Sequence, residues 1–273
     1  MKYYRIDIIA NSNEKPSFFI GSALRGAFGY ALEEAACKDT TCKCIEKPSE
    51  DRCLYYHLYK SDTMKPFRID TELSARTYDF SLYFFSQDNK VSDIETILSA
   101  LKNMMVKRGI GKGCRRSTSS ACIKFPKSTY SINTVESEIS ALNMNPSTQI
   151  KIYIKTPCIL TNPNKERIRD IGIEEILSSI YKRKSFFEEG EEHANLSFKP
   201  KYKLVSKQIN AEVKVSRESL EQNRQIVLEG TSGMIEVKDL DKKSYELLKL
   251  GEVIGVGSQT VRGLGKITIE SSF

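Results

Sequence analysis

This sequence is short of side chains that move protons near neutral pH, with two histidines, His57 and His193, in 273 residues. Chemistry that depends on proton transfer has few residues to choose from. No apolar run approaches the roughly 18 residues of a membrane-spanning helix. The opening Met1-Lys-Tyr-Tyr-Arg-Ile-Asp7 reads as a strand and not as a signal peptide. A soluble, cytoplasmic protein with no membrane partner is the expectation. Both glycine motifs of nucleotide sites are missing as well. A phosphate-binding loop needs Gly-x-x-x-x-Gly-Lys-Ser/Thr, and a dinucleotide site needs Gly-x-Gly-x-x-Gly between a strand and a helix. Here Gly255 and Gly257 lead to Thr260 and then to a β-like run, so no nucleotide cofactor is expected. The seven cysteines are an odd count for a secreted disulfide framework, which points to reduced thiols or a metal site.

What the chain does have is glycine near its end. Five glycines fall in the fifteen positions 251–265, at 251, 255, 257, 263 and 265. That density lets the main chain take positive φ and lets a ligand come close to the peptide groups. Between them stand Ser258, Gln259, Thr260 and Arg262, donors suited to phosphate or sugar oxygens and unsuited to redox chemistry. A polar, anionic ligand is expected. The net charge of +7 supports this through its distribution. Residues 101–127 carry eight bases and no acid, among them Lys112, Arg115 and Arg116 beside three glycines, and residues 196–217 carry six bases against Glu212. Such stretches suit nucleic acid or phosphate, and they suit a solvated face equally.

Periodicity gives the organisation. Tyr4, Ile6, Ile8 and Ala10 alternate as a half-buried strand, and Ile20 to Ala35 repeat at helical spacing with Ser22 as N-cap. Gly26 and Gly29 in that helix imply close packing against its backbone. Extended segments at 66–70 and 77–85 follow. A capping box, Ser92 to Glu95, then opens a helix that ends at Gly109, before extended segments over 121–133. The second half reads as a strand at 149–156, a helix at 171–184, strands at 202–215 and 225–237, a helix at 239–250, the glycine loop and a strand at 264–270. Each half is βαββαβ, with a glycine-rich stretch before its last strand. We therefore expect two tandem ferredoxin-like domains, α+β in class: 1–143 with a Cys-rich insertion at 37–60, and 147–273 with the glycine loop at 251–265. A single mixed α/β domain is the alternative. The alternating Tyr78, Phe80, Leu82 and Phe84 are expected in the core.

Three stretches carry a resemblance: Phe19-Ile-Gly-Ser-Ala-Leu-Arg-Gly-Ala-Phe-Gly-Tyr-Ala-Leu32, the cysteine run ending Cys53-Leu-Tyr-Tyr, and Gly255-Val-Gly-Ser-Gln-Thr-Val-Arg-Gly-Leu-Gly265. Together, over two apparent ferredoxin-like repeats, they resemble the CRISPR repeat-processing endoribonucleases of the RAMP superfamily. The resemblance implies metal-independent cleavage within the repeat of precursor CRISPR RNA, hand-over to a CRISPR effector complex, and contact of the terminal glycine loop with RNA backbone. A noncatalytic RAMP-type subunit that holds guide RNA is the alternative.

Cutting RNA without a metal uses the 2′-hydroxyl as nucleophile, with a base for its proton, an acid for the leaving 5′-oxygen and cations for the phosphorane. The products carry a 2′,3′-cyclic phosphate and a 5′-hydroxyl. His57 stands beside tyrosines and a lysine, whereas His193 follows four glutamates that would repel a phosphate, so His57 is preferred. The resemblance gives Tyr56, Tyr59 and Lys60 as its partners. Arg25, off the apolar stripe of the first helix, suits an RNA phosphate or a structural carboxylate. Cys37, Cys42, Cys44 and Cys53, spaced Cys-x4-Cys-x-Cys-x8-Cys, are candidate ligands for one structural zinc, with free thiols or an iron–sulfur cluster as alternatives. Cys114, Cys122 and Cys158 read as ordinary thiols.

Overall fold

The computed structural model describes residues 1–37, 46–47, 53–86, 93–111, 122–139, 147–219 and 224–271. Lys112, Arg115, Arg116, Cys42, Cys44 and Ser92 lie outside the described residues. In the first half, β1 (Lys2–Ala10) leads to α1 (Gly21–Ala36), β2 (Phe67–Asp70), β3 (Phe80–Ser86) and α2 (Ile94–Asn103). A wide helical turn at Met104–Arg108 extends α2. The short strands β4 (Ile110–Gly111) and β5 (Cys122–Ile123) precede β6 (Tyr130–Glu138). In the second half, β7 (Ile150–Cys158), α3 (Ile173–Glu189), β8 (Lys203–Ser219), β9 (Arg224–Lys238), α4 (Lys242–Ile254) and β10 (Ile267–Ser271) follow.

The sheets run β2-β3-β1-β6 and β10-β7-β9-β8, antiparallel throughout. Counted within its own half, each sheet has the order 2-3-1-4, and each half is βαββαβ. Both are the ferredoxin-like arrangement. Alternation explains the layering: Tyr4, Ile6, Ile8 and Ala10 of β1 are buried with the inner residues of α1 and α2, and Ile150, Ile152 and Ile154 of β7 with those of α3 and α4. Phe80, Leu82 and Phe84 join the first core, as their spacing requires. Among the described residues no helix is long and apolar enough to cross a membrane.

Several local expectations change. The first helix starts at Gly21 with Ile20 as N-cap and no side-chain cap, and Ser22 lies inside it with a buried hydroxyl that has no partner among the described residues. A Cβ on Gly29 would stand 2.6 Å from the Tyr59 ring, which accounts for that glycine, while a Cβ on Gly26 would meet nothing within 4 Å among the described residues. The last helix runs through Gly251 to Ile254, because a Cβ on Gly251 would meet the Ile180 side chain at 2.4 Å and the glycine lets α4 pack against α3. The second-half hairpin is also longer than its periodicity indicated, and β8 and β9 continue as a ribbon beyond the pairing of β9 with β7. Cys122 is disulfide-bonded, whereas Cys158 is a buried thiol whose pKa burial pushes up to about 12.

The halves meet over the outer face of the first sheet. Phe85 of β3 stacks on Phe187 of α3 with ring centroids 4.6 Å apart. Arg68 of β2, 1% exposed, donates from Nη1 to the carbonyls of Glu252 (2.6 Å) and Val253 (2.8 Å), and from Nη2 to Asp70 (2.7 Å). Arg183 of α3 donates from Nε to the Ile254 carbonyl at 3.0 Å. Two guanidinium groups thus close the C-terminus of α4, whose last carbonyls have no partners within the helix and whose dipole favours cations. Burial, and then the neighbouring Arg68, push the Arg183 pKa down to about 9, which leaves it charged at neutral pH.

Candidate functional site

The loop after α4 is held open by positive φ at Gly255, Gly257, Gln259, Gly263 and Gly265. At Gly265 (φ 70°) a Cβ would stand 1.8 Å from the Val256 carbonyl oxygen, across a turn closed by the Val256 N–H to Gly265 carbonyl bond of 2.9 Å. At Gly257 (φ 76°) it would stand 2.6 Å from the Ile159 oxygen. The close approach that the glycines permit is therefore an approach to the protein's own backbone. Gly255, Thr260, Gly263 and Gly265, expected at a ligand-facing edge, are buried in the joint between the halves. Only part of the loop faces out: Ser258 is exposed, and Gly257, Gln259 and Arg262 are half-buried, with Arg262 donating to the Gln259 side chain.

This outer edge forms one wall of a cleft of about 770 Å³. The other walls are the 62–65 turn, the chain after β7, one face of α3 from Glu174 to Arg183, and Glu192 with His193. Lys65 reaches the cleft from the first half. Its ammonium donates to the Ser61 carbonyl and, at 3.0 Å, to the Ser61 hydroxyl. Burial, and then nearby Arg25, lower its pKa, with Asp62 acting in the opposite sense. Lys182 and Arg183 reach it from α3. Hydroxyls of Ser178 and Ser258 join them, and the Ser179 hydroxyl accepts from the Gly257 N–H at 2.8 Å. The cleft thus sets hydroxyls and the cations Lys65, Lys182 and Arg183 beside the carboxylates of Asp62, Glu174, Glu175 and Glu192.

The proposed catalytic group is spread along one wide helical turn, Tyr56–Lys60. Tyr59 is committed to packing. Its hydroxyl donates to the Arg25 carbonyl at 2.8 Å, its ring stacks on Tyr55 at 5.4 Å, and the Arg25 guanidinium lies 5.0 Å from its ring centre. Burial holds its pKa far above the usual phenol value. Arg25 therefore caps an aromatic stack, and Lys60 lies 6.0 Å over the Tyr55 ring of the same stack. His57 is exposed, with its ring edge-on to Tyr56 at 6.0 Å. It lies outside the lining of the cleft, although its carbonyl accepts the Ser61 hydroxyl at 2.9 Å, the same serine that holds Lys65.

Of the four proposed metal ligands, Cys37 at the end of α1 and Cys53 before the aromatic turn bring their sulfurs to 3.3 Å, each half-buried. Two thiols converging from chain ends sixteen residues apart fit half of a tetrahedral site. Among the described residues no three potential ligands cluster.

Sequence reasoning passed over Lys65, Lys182, Arg183 and His193. Nothing marks the first three as a group, since they come from both halves. The acidic neighbours of His193 disfavour it in the sequence.

A family model described as AF_1859_N, N-terminal domain, matches residues 1–141, more than half of the 273-residue chain. The chain belongs to this family. No curated protein matches it. Solved Cas6 structures resemble the whole chain at low identity. The Cas6 (TTHB231) product complex superposes with a TM-score of 0.61 at 13% identity, over 99% of each chain. The Cas6 (TTHA0078) product complex gives 0.60 at 13%, over 99% of this chain and 100% of the other. Thermus thermophilus Cas6 (TTHB231) gives 0.55 at 12%, over 98% of both. The tandem ferredoxin-like fold is thus the fold of the Cas6 structures.

Proposed function

We propose that the protein is an endoribonuclease that cuts precursor CRISPR RNA within its repeat without a catalytic metal. The observation that carries this reading is the full-length likeness to two Cas6 product complexes, with the glycine loop's outer edge set in a cleft that Lys65, Lys182 and several hydroxyls line beside four carboxylates. RNA backbone would lie against Ser258, Gln259 and Arg262, with Lys65 and Lys182 facing its phosphates. The 2′-hydroxyl attacks the adjacent phosphorus, and the lysines stabilise the charge that gathers on the phosphorane. His57, with Tyr56 and Lys60, is linked through Ser61 to Lys65 of the cleft and is the first candidate for proton transfer. The reading gives the cut RNA a 2′,3′-cyclic phosphate and the released fragment a 5′-hydroxyl. Lys112, Arg115 and Arg116 are proposed RNA contacts from their acid-free stretch of sequence, so replacing all three with alanine should weaken RNA binding and flatten its salt dependence.

A second reading, a noncatalytic subunit that holds guide RNA in a CRISPR effector complex, is favoured by the position of His57 outside the cleft lining. Single-turnover incubation with a labelled repeat RNA in EDTA separates the two. Cleavage there supports the nuclease, and binding without cleavage supports the subunit. A 2′-deoxy residue at the cut position should abolish cleavage and leave binding intact, whereas cleavage of that substrate would require a water nucleophile.

We also propose that Cys37 and Cys53, with Cys42 and Cys44, hold one structural zinc that ties the insertion to the end of α1. Elemental analysis of protein purified without added metal should find about one zinc per chain. A metal-free protein with unchanged melting would remove the zinc without touching the cleavage reading.

A further inference from the structure

The hairpin of residues that ends α3 puts the second histidine where its sequence neighbours did not suggest. Gly190, left-handed at φ 75° and ψ 10°, stops the helix, and the Gly190 and Glu191 N–H groups donate back to the carbonyls of Phe186 (2.9 Å) and Ser185 (3.4 Å). These backward bonds fix the direction in which the chain leaves the helix. Two further contacts hold the segment beyond. Glu192 accepts the Met64 N–H at 3.2 Å, tying the segment to the 62–65 turn, and Ala194 is buried. His193 lies between these anchors and lines the cleft together with Lys65 and Ser258. It is exposed, yet its backbone is fixed on both sides.

The turn also disperses the acids. Glu188 remains on the helix and pairs with Lys184 at 3.6 Å, and Glu189 and Glu191 are outside the lining. Of the four glutamates that precede His193, only Glu192 borders the cleft, with one oxygen already bonded to Met64. The run of glutamates thus contributes one carboxylate, Glu192, to a cleft that Asp62, Glu174 and Glu175 also line.

We infer that His193 is a catalytic residue of the cleavage step, carrying one of its two proton transfers beside the 62–65 turn. The inference rests on the nuclease reading. In the step, the O2′–H proton leaves as the O2′–P bond forms, the P–O5′ bond breaks, and a proton arrives at O5′. One proton is taken and one is given, so a base and an acid are both needed and no outside reactant is consumed. His193 supplies one of these groups, and His57, the first candidate for proton transfer, the other.

The test is single-turnover cleavage of the labelled repeat RNA in EDTA by the full chain and by His193→Ala and His193→Gln. Both variants should cut roughly 10²–10⁴-fold more slowly with RNA affinity nearly unchanged, and added imidazole should restore part of the His193→Ala rate. A His193→Ala chain that cuts at the wild-type rate overturns the inference and leaves the nuclease reading standing. A slow His193→Ala chain that imidazole does not rescue, and whose RNA affinity has fallen in step, also overturns it in favour of a binding role. A wild-type chain that binds the RNA without cutting overturns both.

Discussion

The two halves share one strand order and use the same topological position differently. After α2 the chain loosens into the wide turn at Met104–Arg108, and Gly109 leads into the short β4–β5 pair, where its missing Cβ makes room for the Ile123 oxygen at 2.7 Å. That contact stays within the first half. After α4 the glycine loop crosses to the other half, where a Cβ on Gly263 would meet Thr71 at 2.7 Å and one on Gly21 would meet the Arg262 carbonyl oxygen at 1.9 Å. The helices differ as well. Asp241 caps α4 through the Ser244 N–H at 3.0 Å, whereas Asp93 makes no capping bond at α2. A repeat in topology thus fixes where a glycine loop falls, and its packing partner decides whether the loop serves one half or joins two.

That contrast can be broken most severely at Arg68. Arg68→Ala leaves the α4 carbonyls unfilled across the joint and should cost about 3–5 kcal/mol in denaturant unfolding, in the range for removing one partner of a buried ionic contact. Gly265→Ala comes next, at roughly 3 kcal/mol, because strain at positive φ adds to a backbone clash. Gly109→Ala, the same change in the first half, should cost less, since the opposing backbone belongs to a two-residue strand pair. The caps give a finer comparison. Asp241→Ala should cost about 1 kcal/mol and Asp93→Ala close to nothing. Burial alone would raise the Asp241 carboxyl, but hydrogen bonds from the Lys201 and Ser244 N–H groups outweigh it and hold its pKa below the usual value. The contribution of that carboxylate is therefore present above the ordinary carboxyl range and is lost as pH falls through its lowered value. The gap between wild type and Asp241→Ala should close on acidification and stay closed at lower pH; a gap that widens there would show that the carboxylate is not the cap. Gly26→Ala, which meets nothing within 4 Å among the described residues, should raise stability by at most about 1 kcal/mol.

The sheets were legible because alternation at Tyr4, Ile6, Ile8 and Ala10 and helical spacing from Ile20 onward are local signals of burial. Both halves could be read that way, as could the place of each glycine stretch. The content of the site was less legible. A dense run of glycines reports that something approaches the backbone closely, and the sequence does not say whether that is a ligand or the protein itself. Here Gly263 and Gly265 serve the protein. Lys65 and Lys182 are more than a hundred residues apart and meet only through the packing of the two halves. The run Glu188-Glu-Gly-Glu-Glu192 reads as one acidic patch along the chain, although the glycine within it is what separates the acids in space.

The reach of Arg68 to carbonyls 184 and 185 residues further along the chain also bears on how the protein assembles. Each half can pair its own strands through shorter loops, but the joint must wait until both are formed, since long loops close slowly. The cleft has no existence before that docking. Folding should accordingly show two stages, an early gain of protected amides within each sheet and a later, slower burial of Phe85 and Phe187, and the proposed RNA cleavage should appear only with the second.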